Sequence, residues 1–217
     1  MSTPVPAVRE PADPPARTPP PVRQGGETYE KLLKATAELL ADVGFERLTT
    51  NAIVARAGLT PPALYRYFRD KYELVEVLAR RLLRRQADAY AAWLVKTGAW
   101  RVLDQPADFL HDWYRIAAEI AADDPGALWV MRALRAMPNL AHVRLESQRE
   151  MTDRLFEFYR RLHPQADPAA LWARLRVRVE VGWIVDELAL EEDRIPRDVL
   201  FREVARLFGR GADADFG

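Results

Sequence analysis

Residues 48 to 71 read LTTNAIVARAGLTPPALYRYFRDK, and the punctuation in this run leaves room for little except two short helices around one tight turn. Thr50 suits the N-cap of the first helix and Gly58 suits its left-handed end, while Thr60 and Pro61 cap and start the second. A helix this short is unstable alone, so a larger helical body must hold it. Leu64 and Phe68, four apart, point inward against Ile53 and a preceding helix, which leaves Pro62, Ala63, Tyr65, Arg66 and Tyr67 facing outward. Tyr65, Arg66 and Tyr67 are consecutive and fan over most of the circumference, so they cannot all belong to an internal aromatic seam. The segment is a helix-turn-helix.

The flanks supply the body. From Thr28, residues Tyr29, Leu32, Leu33, Thr36, Leu39, Leu40 and Val43 recur on one helical face until Gly44 stops them, with Phe45 packing back on the last turn. Asp70 and Glu73 form an acidic capping box for a longer helix running towards Lys96. Beyond it, prolines at 106, 125, 138, 164, 168 and 196 divide the chain into segments of helical length. Helices are predicted near 106–123, 126–136, 139–162, 168–191 and 197–209. Leu175 to Val181 alternates apolar and charged residues, the period of a strand. A lone strand has no partner, so a helix is expected there, with Arg176 and Glu180 paired at i,i+4.

Net charge is zero over the 217 residues, but it is unevenly spread. Thr28 to Arg85 carries eleven basic against seven acidic residues, while Gln86 to the end carries eighteen against twenty-two. Only the first part is suited to face phosphates. With no cysteine and three dispersed histidines, thiol chemistry, disulfides and a zinc centre are disfavoured. No Gly-rich phosphate loop and no nucleophile with its base is present, so an enzyme is not expected, and no cofactor either. Asp186-Glu187 and Glu191-Glu192-Asp193 read as a solvated helix end. No run of about 18 uncharged apolar residues occurs, so a membrane span is not expected and a cytoplasmic protein is the default. Residues 1–26 hold eight of the sixteen prolines and end in Gly25-Gly26, which predicts a disordered tail. Its Arg9, Arg17 and Arg23 are largely offset by Glu10 and Asp13 within the tail and Glu27 just after it.

Within the motif, Arg66 is the side chain best suited to read a base edge, since a guanidinium bonds guanine O6 and N7 together. Tyr65, Tyr67, Thr50 and Lys71 suit phosphates, and Pro62 or Ala63 suits a thymine methyl. The first helix, Gly44-Phe45, Thr49-Thr50, Ala57-Gly58, Leu64-Tyr65-Arg66-Tyr67-Phe68 and Lys71 together resemble the N-terminal domain of the TetR family of repressors. The resemblance covers about residues 28–75 and departs from the family at Pro61-Pro62 and at Asn51, where some members use a base-reading arginine. It implies an all-α homodimer in which two N-terminal three-helix domains bind a palindromic double-stranded DNA operator. A larger C-terminal helical domain would bind ligand and dimerise. The domains expected are thus 1–26 (tail), 27–75 (DNA-binding) and 76–217 (ligand-binding and dimerisation). The DNA-facing set is Thr49, Thr50, Asn51, Thr60, Pro62, Ala63, Tyr65, Arg66, Tyr67 and Lys71.

All six tryptophans and all three histidines lie beyond residue 90. Large flat side chains with a few polar groups are what a mainly apolar ligand cavity needs. Trp113, Tyr114, Trp129, Met131, Phe156 and Tyr159 are the expected walls of a pocket for a small apolar or aromatic inducer, with His111 or His142 as polar anchors. The competing reading for each aromatic residue is core or interface. By the same resemblance, the helices near 168–191 and 197–209 form a dimer interface. Gly182 would permit close approach there, and Leu171, Leu175, Val185, Leu188, Val199, Leu200, Val204, Leu207 and Phe208 supply apolar area; the alternative is that these faces pack only within the subunit. The alternative function is a DNA-binding dimer whose C-terminal half binds a protein partner or only dimerises, with no small-molecule inducer.

Overall fold

The computed structural model describes residues 26–97 and 106–209, and every regular element among them is a helix. The proline-rich tail and Trp100 lie outside the described residues. We label the helices α1 (Glu27–Arg47), α2 (Thr50–Ala57), α3 (Pro61–Tyr65), α4 (Lys71–Thr97), α5 (Pro106–Ala122), α6 (Ala127–Ala136), α7 (Ala141–Leu162), α8 (Pro168–Glu191) and α9 (Arg197–Gly209). A 3₁₀ turn at Pro138–Leu140 precedes α7. The expected positions of the C-terminal helices hold to within two residues. Among the described residues, no helix is long and apolar enough to cross a membrane.

The local signals act largely as the side chains dictate. Gly44 breaks α1 with φ 74° and ψ 177°, a positive-φ conformation other than the left-handed helical one expected, and a further turn follows it. Gly58 closes α2 at φ 65°. Two caps differ from expectation. The N-cap of α2 is Thr49, not Thr50: its hydroxyl accepts from the Ala52 amide at 3.1 Å. At the start of α4, Asp70 accepts from the Glu73 amide at 3.0 Å, but Glu73 returns the bond to the amide of Arg69, one residue earlier than a capping box requires. Val43, expected on the apolar face, is exposed.

Apolar burial gathers these helices into two clusters. The first joins Leu32, Leu40, Ile53, Leu64, Phe68 and Leu74 to Val130, Met131, Leu134 and Val143, so α1–α4 share one core with α6 and the start of α7. The second is aromatic, with Tyr90, Trp113, Tyr114, Leu155, Tyr159, Leu175 and Phe201 from α4, α5, α7, α8 and α9. The 27-residue α4 feeds both, through Leu74 and Leu82 at one end and Tyr90 at the other. A domain boundary between residues 75 and 76 would fall inside this helix.

Helix α8 explains the strand-like alternation in the sequence. Leu175 is buried in the second cluster while Val177, two residues on, is 56% exposed. The helix therefore carries apolar side chains on two faces, and no single 3.6-residue stripe emerges. The expected ion pair is present, with Arg176 donating to Glu180 at 3.0 Å. Several residues expected at a dimer interface are consumed within the chain. Leu171, Leu175, Val185 and Val204 are buried there, and a Cβ on Gly182 would lie 3.4 Å from the Tyr114 ring of α5. Leu188, Val199 and Leu207 are exposed, and the side chain of Phe208 lies outside the described residues.

The contact of α6 with α1 is close. Gly126, at φ 81°, sits where a Cβ would fall 2.7 Å from the Ala37 carbonyl oxygen and 3.0 Å from Leu40 Cβ. Three residues later Trp129 lies over Gly44, whose own Cβ position is 3.0 Å from the indole. Gly126→Ala combines a positive φ with a backbone clash and is expected to lower unfolding free energy in urea by at least about 2 kcal/mol. Gly58→Ala, with open space around it, should cost only about 1 kcal/mol.

Candidate nucleic-acid interface

The turn between α2 and α3 is built by Gly58, whose amide donates to the Ala55 carbonyl at 3.2 Å, while the Leu59 amide donates to Val54 at 2.9 Å. Two α2 carbonyls are thereby satisfied. Helix α3 then spans only five residues, from Pro61 to Tyr65, with Thr60 as N-cap and no side-chain bond from it. The short helix is fixed from behind. Leu64 and Phe68 are fully buried, Phe68 stacks on Tyr29 of α1 at 5.0 Å, and Tyr67 meets the same ring edge-on at 5.9 Å.

The front of the motif is less uniform than expected. Pro62, Tyr65 and Arg66 are exposed and Ala63 is half-buried. Tyr67 is half-buried as well, held by Tyr29, so it only partly faces outward. Arg66 lies just past the end of α3, its guanidinium 5.8 Å from the Tyr67 ring and without a carboxylate partner among the described residues. Tyr65 places its hydroxyl 3.4 Å from that of Thr50, so α2 and α3 present one continuous hydroxyl edge. Thr49, Asn51 and Thr60 are exposed beside it, although the Thr49 hydroxyl is engaged in the cap.

Lys71 departs most from expectation. Its ammonium donates to the carbonyls of Phe45 at 3.2 Å and Leu48 at 3.1 Å and lies 4.4 Å from the Phe45 ring centroid. At the α1–α2 corner the Phe45 carbonyl also accepts from the Leu48 amide at 3.2 Å, and Lys71, the first residue of α4, adds a second bond to it and one to the Leu48 carbonyl. Its first role is to hold the motif together. The sequence signal for this is the glycine break itself, which ends the regular helical ladder just before that corner.

The aromatic residues expected to line a ligand pocket are divided between the two cores. Trp129 and Met131 belong with the first cluster, and Trp129 lies under Arg132 at 4.8 Å. Trp113, Tyr114, Tyr159 and Phe156 belong with the second, where Trp113 stacks on Tyr90 at 3.8 Å. His111 ties α5 to α9 through Asp198 at 3.0 Å, and His142 is exposed with Glu76 at 3.6 Å. None of the eight lines the groove of about 290 Å³ between α4 and α7, whose walls include Arg80, Arg84, Val143, Glu146 and Met151.

Asp186, by contrast, is not part of a solvated face. It is 6% exposed, Gln86 donates to its Oδ2 at 3.4 Å, and its Oδ1 has no hydrogen-bond partner. Burial pushes its carboxyl well above the ordinary 3.8, with the like charge of Glu187 adding to the effect and the Gln86 bond opposing it. The register could have revealed it, since Leu171, Leu175, Gly182, Asp186 and Ala189 share the inward face of α8. Acid-rich local composition concealed that periodicity.

Two outcomes follow for stability. Lys71→Met removes two charge-assisted bonds while keeping the apolar stem. It should lower unfolding free energy by roughly 2 kcal/mol in thermal melts, whereas Arg66→Ala leaves the melting temperature unchanged. For Asp186 the folded carboxyl is raised above its unfolded value. Its contribution is fully present below pH 3.8 and is lost as pH rises from there through the folded value. Asp186→Asn should therefore melt above the parent at neutral pH, with the gap closing as pH falls towards 3.8.

Comparison with known proteins agrees with this architecture. Residues 32–78 match the family model described as bacterial regulatory proteins, tetR family. The chain is 43% identical over 54 residues to the class C tetracycline repressor of Escherichia coli, a match that spans a quarter of each protein. It is 30% identical over 151 residues to the HTH-type transcriptional regulator BetI of Stenotrophomonas maltophilia, covering 65% of this chain and 72% of that one. A putative TetR-family regulator from Syntrophomonas wolfei shares the fold at a TM-score of 0.67 and 11% identity, over 87% of this chain and 95% of that one. With a helix-turn-helix seated on a larger all-helical body, this chain belongs to the TetR family of bacterial transcriptional regulators.

Proposed function

We propose that the protein is a ligand-controlled repressor that binds a palindromic operator as a homodimer. The observation that carries this reading is the outer face of the helix-turn-helix, where the 56%-exposed Tyr65 at the end of a short helix and Arg66 just past it project outward from a base anchored by Leu64 and Phe68. Arg66 reads one guanine, and Tyr65 and Thr50, joined at their hydroxyls, take phosphate. Thr49, Asn51, Thr60, Pro62, Ala63 and Tyr67 flank that contact, with Lys71 setting the corner behind it. Repression is the sign carried by the name of the tetracycline repressor.

Dimerisation is supported by α8. Val177, Val181, Ile184 and Leu188 stand at i, i+4, i+7 and i+11, three of them exposed and Val181 half-buried, and exposed Val199 of α9 adds to them. That spacing is a seam for a partner helix. Two such chains would set their recognition helices about 34–36 Å apart, one turn of DNA.

Control by a ligand is supported by a continuous path between the cores. Glu187 and Glu191 of α8 hold Arg135 at 3.4 Å and Arg132 at 2.6 Å on α6, Arg132 covers Trp129, and Trp129 covers Gly44 at the head of the motif. A ligand that favours one arrangement of α8 over another would change DNA affinity by its difference in affinity for the two.

The test is selection of bound DNA from a random pool with the full chain, followed by titration at several salt concentrations. A palindrome is expected, with log affinity falling linearly in log salt. Arg66→Ala should cost about 1–3 kcal/mol and relax one base position per half-site. Ile184→Asp should give a monomer in light scattering and lose operator binding. A pool with no enriched sequence would overturn the proposal.

A further inference from the structure

We infer that Asp186 anchors a site for a small organic cation, an ammonium carried on an apolar body, at the junction of α4, α5 and α8. The inference deepens the ligand-controlled reading and rests on it. A buried carboxylate with one oxygen unpartnered is expensive, and an asparagine or leucine in its place would cost less. Among the described residues no lysine or arginine pairs with Asp186, and the charge that acts on it is the like charge of Glu187. The carboxyl is nonetheless held in place. Gln86 donates to the Ala117 carbonyl at 3.2 Å and to Asp186 Oδ2 at 3.4 Å, which fixes the group and leaves Oδ1 as the free acceptor.

The surroundings narrow the ligand. Tyr90 and Tyr114 lie close enough for Asp186 to help push their hydroxyls upward, after the larger effect of burial and, at Tyr114, against the opposing charge of Arg178, which also acts on Tyr159. Trp113 lies flat on Tyr90. Aromatic faces around a lone carboxylate attract a cation and repel an anion, and they also suit an apolar body. A neutral apolar inducer would leave Oδ1 unpaired, whereas an ammonium pairs it. The Tyr90–Trp113 stack occupies the space that an entering cation takes, so binding separates these rings. The next residue, Glu187, begins the path to Arg135, α6 and Gly44.

The experiment uses the full chain, a homologous series of phenylalkylammonium ions and the phenylalkyl alcohols of matching length, with binding read by calorimetry and tryptophan fluorescence. The best ammonium is expected to bind at least about tenfold tighter than its alcohol, with Asp186→Asn abolishing the difference while its melting curve stays cooperative. Equal binding of alcohol and ammonium, an undiminished preference in Asp186→Asn, or no binding by any ammonium at millimolar concentration would each overturn the site. The same compounds are added to the protein–operator complex. Ammonium binding that leaves DNA affinity unchanged would uphold the site and defeat ligand control. Release of DNA by neutral compounds alone would uphold ligand control and defeat the site.

Discussion

The approach of α6 to α1 is the constraint on which the rest of the molecule depends. Gly126 has no side chain because the Ala37 carbonyl occupies the space a Cβ would need, and Trp129 fills the gap left by Gly44. Backbone against backbone is the closest packing available to two helices, and it lets one apolar cluster run from the helix-turn-helix into the C-terminal body. A motif of two short helices could not bury enough surface by itself. Its order is borrowed from α6.

Polar groups then decide the geometry that apolar packing leaves open. Lys71 closes the corner between α1 and α2, Arg132 and Arg135 tie α6 to α8, and His111 ties α5 to α9. Most of these pairs are exposed or half-exposed, so each adds little to stability. Their effect is on orientation. Asp186 is the exception, a carboxyl taken out of water with no counter-charge among the described residues, and it lies where the aromatic core meets the helix that carries Glu187 and Glu191.

Much of the fold was legible in the sequence because its signals are local. Gly58, Pro61, Pro168 and the Asp70–Glu73 pair report on residues three or four positions away, and those interactions survive in any context. Leu64 and Phe68 were readable for the same reason, through helical spacing. What was hidden depends on distant partners. Whether Thr49 or Thr50 caps α2 turns on where the chain leaves the α1 corner, and Lys71 could be assigned to the carbonyls of Phe45 and Leu48 only once α4 was placed beside them. The tryptophans and tyrosines of the C-terminal half were visible as a composition, but their division between two clusters is a tertiary fact. Nor does the sequence say which helix Gly182 admits; it accommodates Tyr114 of the same chain.

Helix α3, at five residues, has too few internal bonds to set its own direction. Its aim comes from Tyr29, Leu64 and Phe68 behind it. The direction in which Tyr65 and Arg66 are presented is therefore a property of the core as well as of the exposed segment, and a substitution in the packing beneath α3 can re-aim both side chains without changing either.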